Sequence, residues 1–148
     1  MAINFAHLKE LMETGVCLWY APERLLCIDK ALLVQLTEAD YNAMVDWHVE
    51  TLGEYYDAVQ ALSRIWHRKR RKALQAENVN RVHKQCLRLS APGVVAYVAQ
   101  MYARAFEGFD GLPLWITGER EPVQIRDEAD NLVGLLMVCD PRAIERLA

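Results

Sequence analysis

Negative charge is nearly missing from one stretch of this chain. Across positions 63–88 (SRIWHRKRRKALQAENVNRVHKQCLR) the only acidic residue is Glu77, against nine Lys/Arg: Arg64, Arg68, Lys69, Arg70, Arg71, Lys72, Arg81, Lys84 and Arg88. The segment carries +8 while all 148 residues sum to −3, so the rest of the chain carries −11. Such separation speaks to partners rather than to fold.

Long hydrophobic runs are also missing. The longest, such as 132–139, fall far short of the ~18 residues of a membrane-spanning helix. The first residues, MAINF, offer no cationic region followed by an apolar one, and the second residue is Ala2 rather than the glycine of a myristoylation signal. No C-terminal prenylation box is present. The expectation is a soluble cytoplasmic protein without a membrane partner.

Cysteine is sparse and unpatterned. Cys17, Cys27, Cys86 and Cys139 form no CxxC, and a chain of this length needs no disulfide staples, so they read as small buried hydrophobes in a reducing compartment. A three-residue loop at 21–23 would set Cys17 opposite Cys27 across a hairpin. A two-residue turn at Pro22-Glu23 would put them on opposite faces.

Catalytic and metal signatures are lacking. There is no GxSxG, GxxxxGK[ST], GxGxxG, HxxxH or HExxH. His48 and Glu50, two apart, would sit about 200° around a helix and could not share an ion. His48 itself reads as a core or interface histidine. His83 and Cys86 fall one helical turn apart, a spacing that also arises with no chemistry. Glu119/Glu121 and Asp127/Glu128/Asp130 lie in turns and read as solvated acids. No cofactor or metal is expected, and catalysis is the less favoured reading.

What is present suits one globular domain: 53% hydrophobic and 25% charged residues. Asn4 caps a helix over 5–14 that Gly15 stops. Two β-like runs, 16–20 and 25–29, flank Ala-Pro-Glu-Arg and read as a hairpin. ALLVQL, within 30–36, fits either helix or strand. Thr37, with Asp40 three residues on, resembles a capping box. From there Tyr41, Val45, His48, Leu52, Tyr55, Val59, Leu62 and Trp66 follow an a/d heptad, which predicts a long central helix. The stripe is compatible with a homodimer seam or with an intramolecular bundle. A second stripe, Val79, Val82, Cys86 and Leu89, is out of phase with it. Ser90-Ala91-Pro92-Gly93 reads as a helix start, and Val94, Val95, Val98, Met101, Tyr102, Ala105 and Phe106 as one face of a helix over 94–107. Runs at 114–117, 123–126 and 132–139 predict a three-stranded antiparallel meander. Asp140-Pro141 caps a short terminal helix. The expected architecture is α+β in a single domain: N-terminal helix and β-hairpin, long central helices, C-terminal meander.

The functional expectation rests on the basic segment. The run HRKRRK turns through about 600° on a helix, at ~100° per residue, so cations point every way and no face can enter an apolar core. Arg64, His67, Arg68, Lys69, Arg70, Arg71, Lys72, Arg81, Lys84 and Arg88 are the candidate partner-binding residues. Cations closing a helix would satisfy the same pattern. An acidic protein surface and nucleic-acid phosphate are the two candidate partners, with the −11 elsewhere opposing phosphate. Trp47 and Trp66 fall on or beside the stripe and read as core rather than as stacking platforms. A non-enzymatic interaction protein, acting as a small regulator, adaptor or inhibitor, is the preferred reading. Direct nucleic-acid binding comes next, and then an enzyme whose site is assembled from distant residues.

Overall fold

The computed structural model describes residues 2–51, 64, 73–83, 85–140 and 142, and of residue 83 the backbone alone. The N-terminal helix α1 (Phe5–Glu13) forms as its sequence predicts. The Asn4 side chain accepts from the His7 amide at 3.1 Å, supplying a partner to an amide that the first turn leaves unpaired. Gly15 takes φ +93°, and the Gly15 and Val16 amides close back on Met12 and Leu11. His7, Leu8 and Leu11 form the buried face.

Strands β1 (Leu18–Ala21) and β2 (Leu25–Ile28) make the expected antiparallel hairpin. Its loop is Pro22-Glu23-Arg24, one residue later than the loop that would pair the cysteines. Trp19 therefore stands opposite Cys27, while the Cys17 carbonyl accepts from the Asp29 amide. All four cysteines are free. A tight turn with left-handed Asp29 (φ 46°) and Lys30 (φ 59°) leads into β3 (Leu32–Gln35), which settles ALLVQL as strand. Every residue of β2 is buried, with Leu26 and Ile28 in one core cluster and Leu25 and Cys27 in another. A strand buried on both faces gives a continuous apolar run without alternation, and such a run carries no period to read.

The expected long helix from Thr37 is overturned within the described residues. Thr37 Oγ1 does accept from the Asp40 amide at 3.1 Å, but the helix it caps, α2 (Glu38–Ala43), lasts six residues. A 3-10 turn follows (Val45–Trp47), His48 turns left-handed at φ 53°, and β4 (Glu50–Thr51) pairs in parallel with β1. The heptad spacing was coincidental here. Val45 is 68% exposed and Tyr41 37%, so neither occupies a helical seam. Trp47 packs edge-on to Phe5 at 5.8 Å with Lys9 over its ring, as a packing aromatic rather than an open platform. His48, read from sequence as core or interface, is exposed. Leu52, Tyr55, Val59, Leu62 and Trp66, the rest of the stripe, lie outside the described residues.

The second helical expectation, over 94–107, is overturned as well. After β5 (Leu74–Gln75) the chain forms β6 (Asn78–His83), β7 (Cys86–Ala91) and β8 (Val94–Ala99), an antiparallel three-stranded sheet. Pro92-Gly93 is not a helix start. Ala91 pairs with Val94, and Gly93 at φ +76° completes a two-residue turn with Pro at its first position. Val94, Val95, Tyr97 and Val98 are β-formers, and their neighbours across β7 decide the matter. Helix is confined to one turn, α3 (Gln100–Ala103).

The meander is confirmed: β9 (Leu114–Ile116), β10 (Val123–Arg126) and β11 (Leu132–Leu136) pair antiparallel in order. It joins the N-terminal strands in one eight-stranded sheet, β4-β1-β2-β3-β11-β10-β9-β5. Among the described residues the architecture is sheet-rich, with eleven strands in two sheets and three short helices, rather than α+β around long central helices. One core cluster gathers Leu8 and Leu11 of α1, Leu26, Ile28, Val34, Leu89, Ala96, Val98 and Phe106. Phe106 lies against the backbone of β11 at Gly134, where an added Cβ would come within 3.3 Å of its ring. The other face of the large sheet buries Trp19, Leu25, Cys27, Leu33 and Leu135. Among the described residues, no helix is long and apolar enough to cross a membrane.

Candidate functional site

Arg81 and Arg88 are the two members of the basic segment that the structure brings together. They lie on adjacent strands, β6 and β7, rather than on the helix that sequence spacing suggested. Asn80 pairs with Arg88 and Arg81 with Leu87. Strand side chains alternate in direction, so the two arginines leave opposite faces of the sheet. One face carries Val79, Arg81, Leu87, Leu89, Ala96 and Val98, and the last three are fully buried. The other carries Asn78, Asn80, Arg88 and Tyr97, with Arg88 flanked by Asn80 and Tyr97. Arg64 is exposed and helical. His67, Arg68, Lys69, Arg70, Arg71, Lys72 and Lys84 lie outside the described residues.

The first face opens into a cavity of about 430 Å³. Val79, Leu87, Ala103, Phe106 and Phe109 supply its apolar lining, and Arg81, Arg104, Glu107 and Asp110 its charges. Gly108, left-handed at φ +62°, turns the chain from α3 towards Phe109. Arg81 is not a free cation, since its side chain already takes part in an interaction of the fold. Only Arg81 of this set was a candidate from sequence. Arg104, Glu107 and Asp110 were missed because they lie over twenty positions away, the first two in a segment whose own pattern reads as helix and Asp110 just beyond it.

β6 borders the small sheet. Among the described residues its only strand partner is β7, and Asn78, Asn80, Arg81 and Val82 are exposed, Val82 by 43%. β8, on the opposite side, has its outer edge occupied in part, because the Cys139 amide donates to the Tyr97 carbonyl at 2.7 Å. The hairpin 78–91 contains Arg81, Lys84 and Arg88 and no acid, a charge of +3.

A second cavity, about 530 Å³, lies by the start of β1 and the β2–β3 turn, with Cys17, Asp29, Lys30, His48 and Glu50 around it. It brings His48 and Glu50 to one place, which helical spacing had excluded. Still, no three His, Cys, Asp or Glu among the described residues gather closely enough to hold a metal ion. Asp29 at its rim accepts from the Tyr102 hydroxyl at 2.7 Å. Burial, and then this bond and the adjacent carboxylate, push the Tyr102 phenol up to about 12.

The other chemical candidates look structural. His83 and Cys86 are not one helical turn apart. They pair across the β6–β7 turn, and Cys86 is buried. Burial pushes the Cys27 thiol up to about 12 and raises that of Cys139, so neither favours thiolate. Asp127 accepts from the Asn131 amide at 2.8 Å, which holds its carboxyl below the usual range and closes the β10–β11 turn. Arg126, 6% exposed, lies 3.9 Å over the Trp115 ring and bonds Gln124 and Asp130. No family model, curated protein or solved structure matches this chain.

Proposed function

We propose that this protein is a non-enzymatic interaction protein, a small regulator, adaptor or inhibitor, that holds a partner protein through the basic hairpin β6–β7. The observation that carries the reading is the siting of that hairpin. A strand pair that carries Arg81 and Arg88 lies at the border of the small sheet, with no further strand beside β6 among the described residues, and next to a cavity lined in part by Val79, Leu87 and Phe106. Cations at a sheet border set association rate and partner choice, while an apolar pocket nearby can seat an anchoring side chain. Nucleic acid is the weaker fit. Arg81 and Arg88 leave opposite faces of one sheet and so present no single row to a phosphate backbone, and the rest of the chain is acidic.

The test is capture of the native partner by crosslinking in the host, with and without nuclease, using wild type and Arg81→Glu/Arg88→Glu. Nuclease-resistant capture that the double reversal weakens, less so as salt rises, supports the reading. Capture that nuclease abolishes would move the assignment to nucleic acid. Capture unchanged by the reversal at low salt would remove the hairpin from any functional role.

A further inference from the structure

We infer that the groove between α1 and the chain entering β4 is a second docking surface, one that seats a short cationic segment of a partner protein carrying apolar anchors. It goes beyond the interaction reading above and shares no residue with the β6–β7 hairpin. The groove is two cavities in line. The one by the start of β1, about 530 Å³, has Met12, Val16, His48, Val49 and Glu50 along its sides. The next, about 500 Å³, lies between Lys9, Met12 and Glu13 on one side and Ala43, Asp46 and Trp47 on the other. Met12 borders both, which makes them neighbours. Positions 9, 12 and 13 share one face of α1, so that face forms a continuous wall. The facing wall is the 3-10 turn at Val45–Trp47, which left-handed His48 turns into β4.

The floor is apolar. Met12, Val16, Val49 and, beside Lys9, Trp47 are half-buried and pack against the main core cluster. A concave site with an apolar floor and a few polar groups at its rim is the usual form of a recognition pocket. Met12, unbranched and polarisable, sits where the cavities join and can adapt to what enters.

Charge decides the occupant. The charged side chains around the groove are Glu13, Asp29, Asp46 and Glu50 against Lys9 and Lys30, four carboxylates to two ammonium groups. All six are exposed. The Lys9 ammonium already lies 5.1 Å from the centre of the Trp47 ring, and Asp29 accepts from the Tyr102 hydroxyl. Among the described residues, Glu13, Asp46 and Glu50 are in no ion pair. Such a rim favours ammonium or guanidinium groups, while the floor favours aliphatic side chains. Two cavities in line fit a chain that alternates the two better than they fit one small amine.

The probe is a labelled hexapeptide of alternating Leu and Lys, with Ser/Lys and Leu/Glu analogues and hexylamine as controls. Binding to the full chain is read by fluorescence anisotropy at about 0.1 M salt, where charges more than ~10 Å away are largely screened. The site is read from amide shifts of the labelled full chain. Two variants remove equal charge from different places: Glu13→Gln/Asp46→Asn/Glu50→Gln at the groove, and Glu119→Gln/Glu121→Gln/Glu128→Gln in the turns of the meander. The groove variant should bind Leu/Lys about tenfold more weakly, as three exposed ion pairs together provide, and the meander variant within about threefold of wild type. Ser/Lys should be at least about tenfold weaker than Leu/Lys, since it leaves the floor unfilled, and Leu/Glu should not bind detectably. Shifts should centre on 9–16 and 46–50. Undetectable binding of Leu/Lys, shifts centred elsewhere, equal effects of the two variants, or equal binding of Ser/Lys would overturn the groove as a docking surface. The peptide series and the shifts use the wild-type chain, so they decide the matter even if a variant loses its circular dichroism. Displacement of Leu/Lys by an equal concentration of hexylamine would make the occupant a small amine, and self-association that shifts the same amides would make it a second copy; either result overturns the partner segment. Capture with Arg81→Glu/Arg88→Glu tests the hairpin alone, so the two readings fail separately.

Discussion

Whether 94–107 is strand or helix has a direct energetic signature. In the structure Val98 is 0% exposed, within the core cluster, while Met101 is 41% exposed beyond the end of β8. On a helix over 94–107, both would share one apolar face and cost about the same to truncate. Val98→Ala removes two buried carbons at roughly 0.8 kcal/mol each and leaves a void that neighbours fill incompletely, so about 2–3 kcal/mol is expected. Met101→Ala should change stability by about 0.5 kcal/mol or less, the range of surface substitutions. Ala96 sharpens the contrast. It is 0% exposed in β8 opposite Leu89, but would lie off the apolar face of the helix. Ala96→Gln forces an amide into that site without a partner and overfills it, for roughly 2–4 kcal/mol in all. Urea unfolding at neutral pH, followed by circular dichroism, measures each midpoint, and an unchanged slope shows that the same transition is compared. If Met101→Ala costs as much as Val98→Ala while Ala96→Gln is neutral, the strand assignment and the three-stranded sheet are refuted together.

Two further outcomes are expected. Gly134→Ala places a Cβ 3.2 Å from Ile125 Cδ1 and 3.3 Å from Phe106 Cζ, so it should cost about 1–3 kcal/mol by overpacking, and Phe106→Leu in the same molecule should recover part of the loss in a double-mutant cycle. Tyr102 is pushed from 10.0 to about 12 in the folded state, so the folded protein holds that proton after the unfolded chain has released it. Its contribution is complete below about pH 10 and is lost as pH rises to about 12; Tyr102→Phe should flatten this fall in a chemical-denaturation series, leaving the portion that Cys27 and Cys139 begin from 9.0 and Tyr20 from 10.0.

Legibility along this chain followed the range of the interaction. The Asn4 and Thr37 caps act over three residues, and both side chains accept the amides their positions predict. The β1–β2 hairpin was legible because Pro22 punctuates two apolar runs, although its loop fell one residue late, enough to move Cys17 off Cys27. The β10 span, 123–126, coincides with its sequence reading because turn residues bound it on both sides. The failures share a cause. Apolar residues at 41–48 and 94–106 satisfy a helical period by chance, and Pro92 fits a helix start as well as a turn. Gly93 at φ +76° distinguishes the two, and so does the β-branched run that follows it. The glycine and the β-branched run are legible in the sequence, but so is the helical spacing of the apolar residues.

Of the candidate site, sequence supplied the cations and the structure supplied their arrangement. Arg81 and Arg88 belong to one basic segment that reads as helical, yet they lie on adjacent strands whose antiparallel register sends them to opposite faces. The cavity beside Arg81 joins Arg104, Glu107 and Asp110 to it from a distant stretch, which no local pattern could announce.

The sequence by itself determined the charge separation, the sparse and unpatterned cysteines, the capped ends of α1 and α2, the first hairpin and the C-terminal meander. All of these depend on composition or on contacts a few residues apart, where the choice of residue fixes the backbone directly. Only the tertiary structure decided that 78–83, 86–91 and 94–99 are strands, that the meander continues the N-terminal sheet through β3 and β11, and that the basic hairpin borders a cavity. The physical reason is one of magnitude. Intrinsic preferences between helix and strand differ by less than about 1 kcal/mol per residue, whereas burying Val98 or Leu89 against the right neighbours contributes several times that.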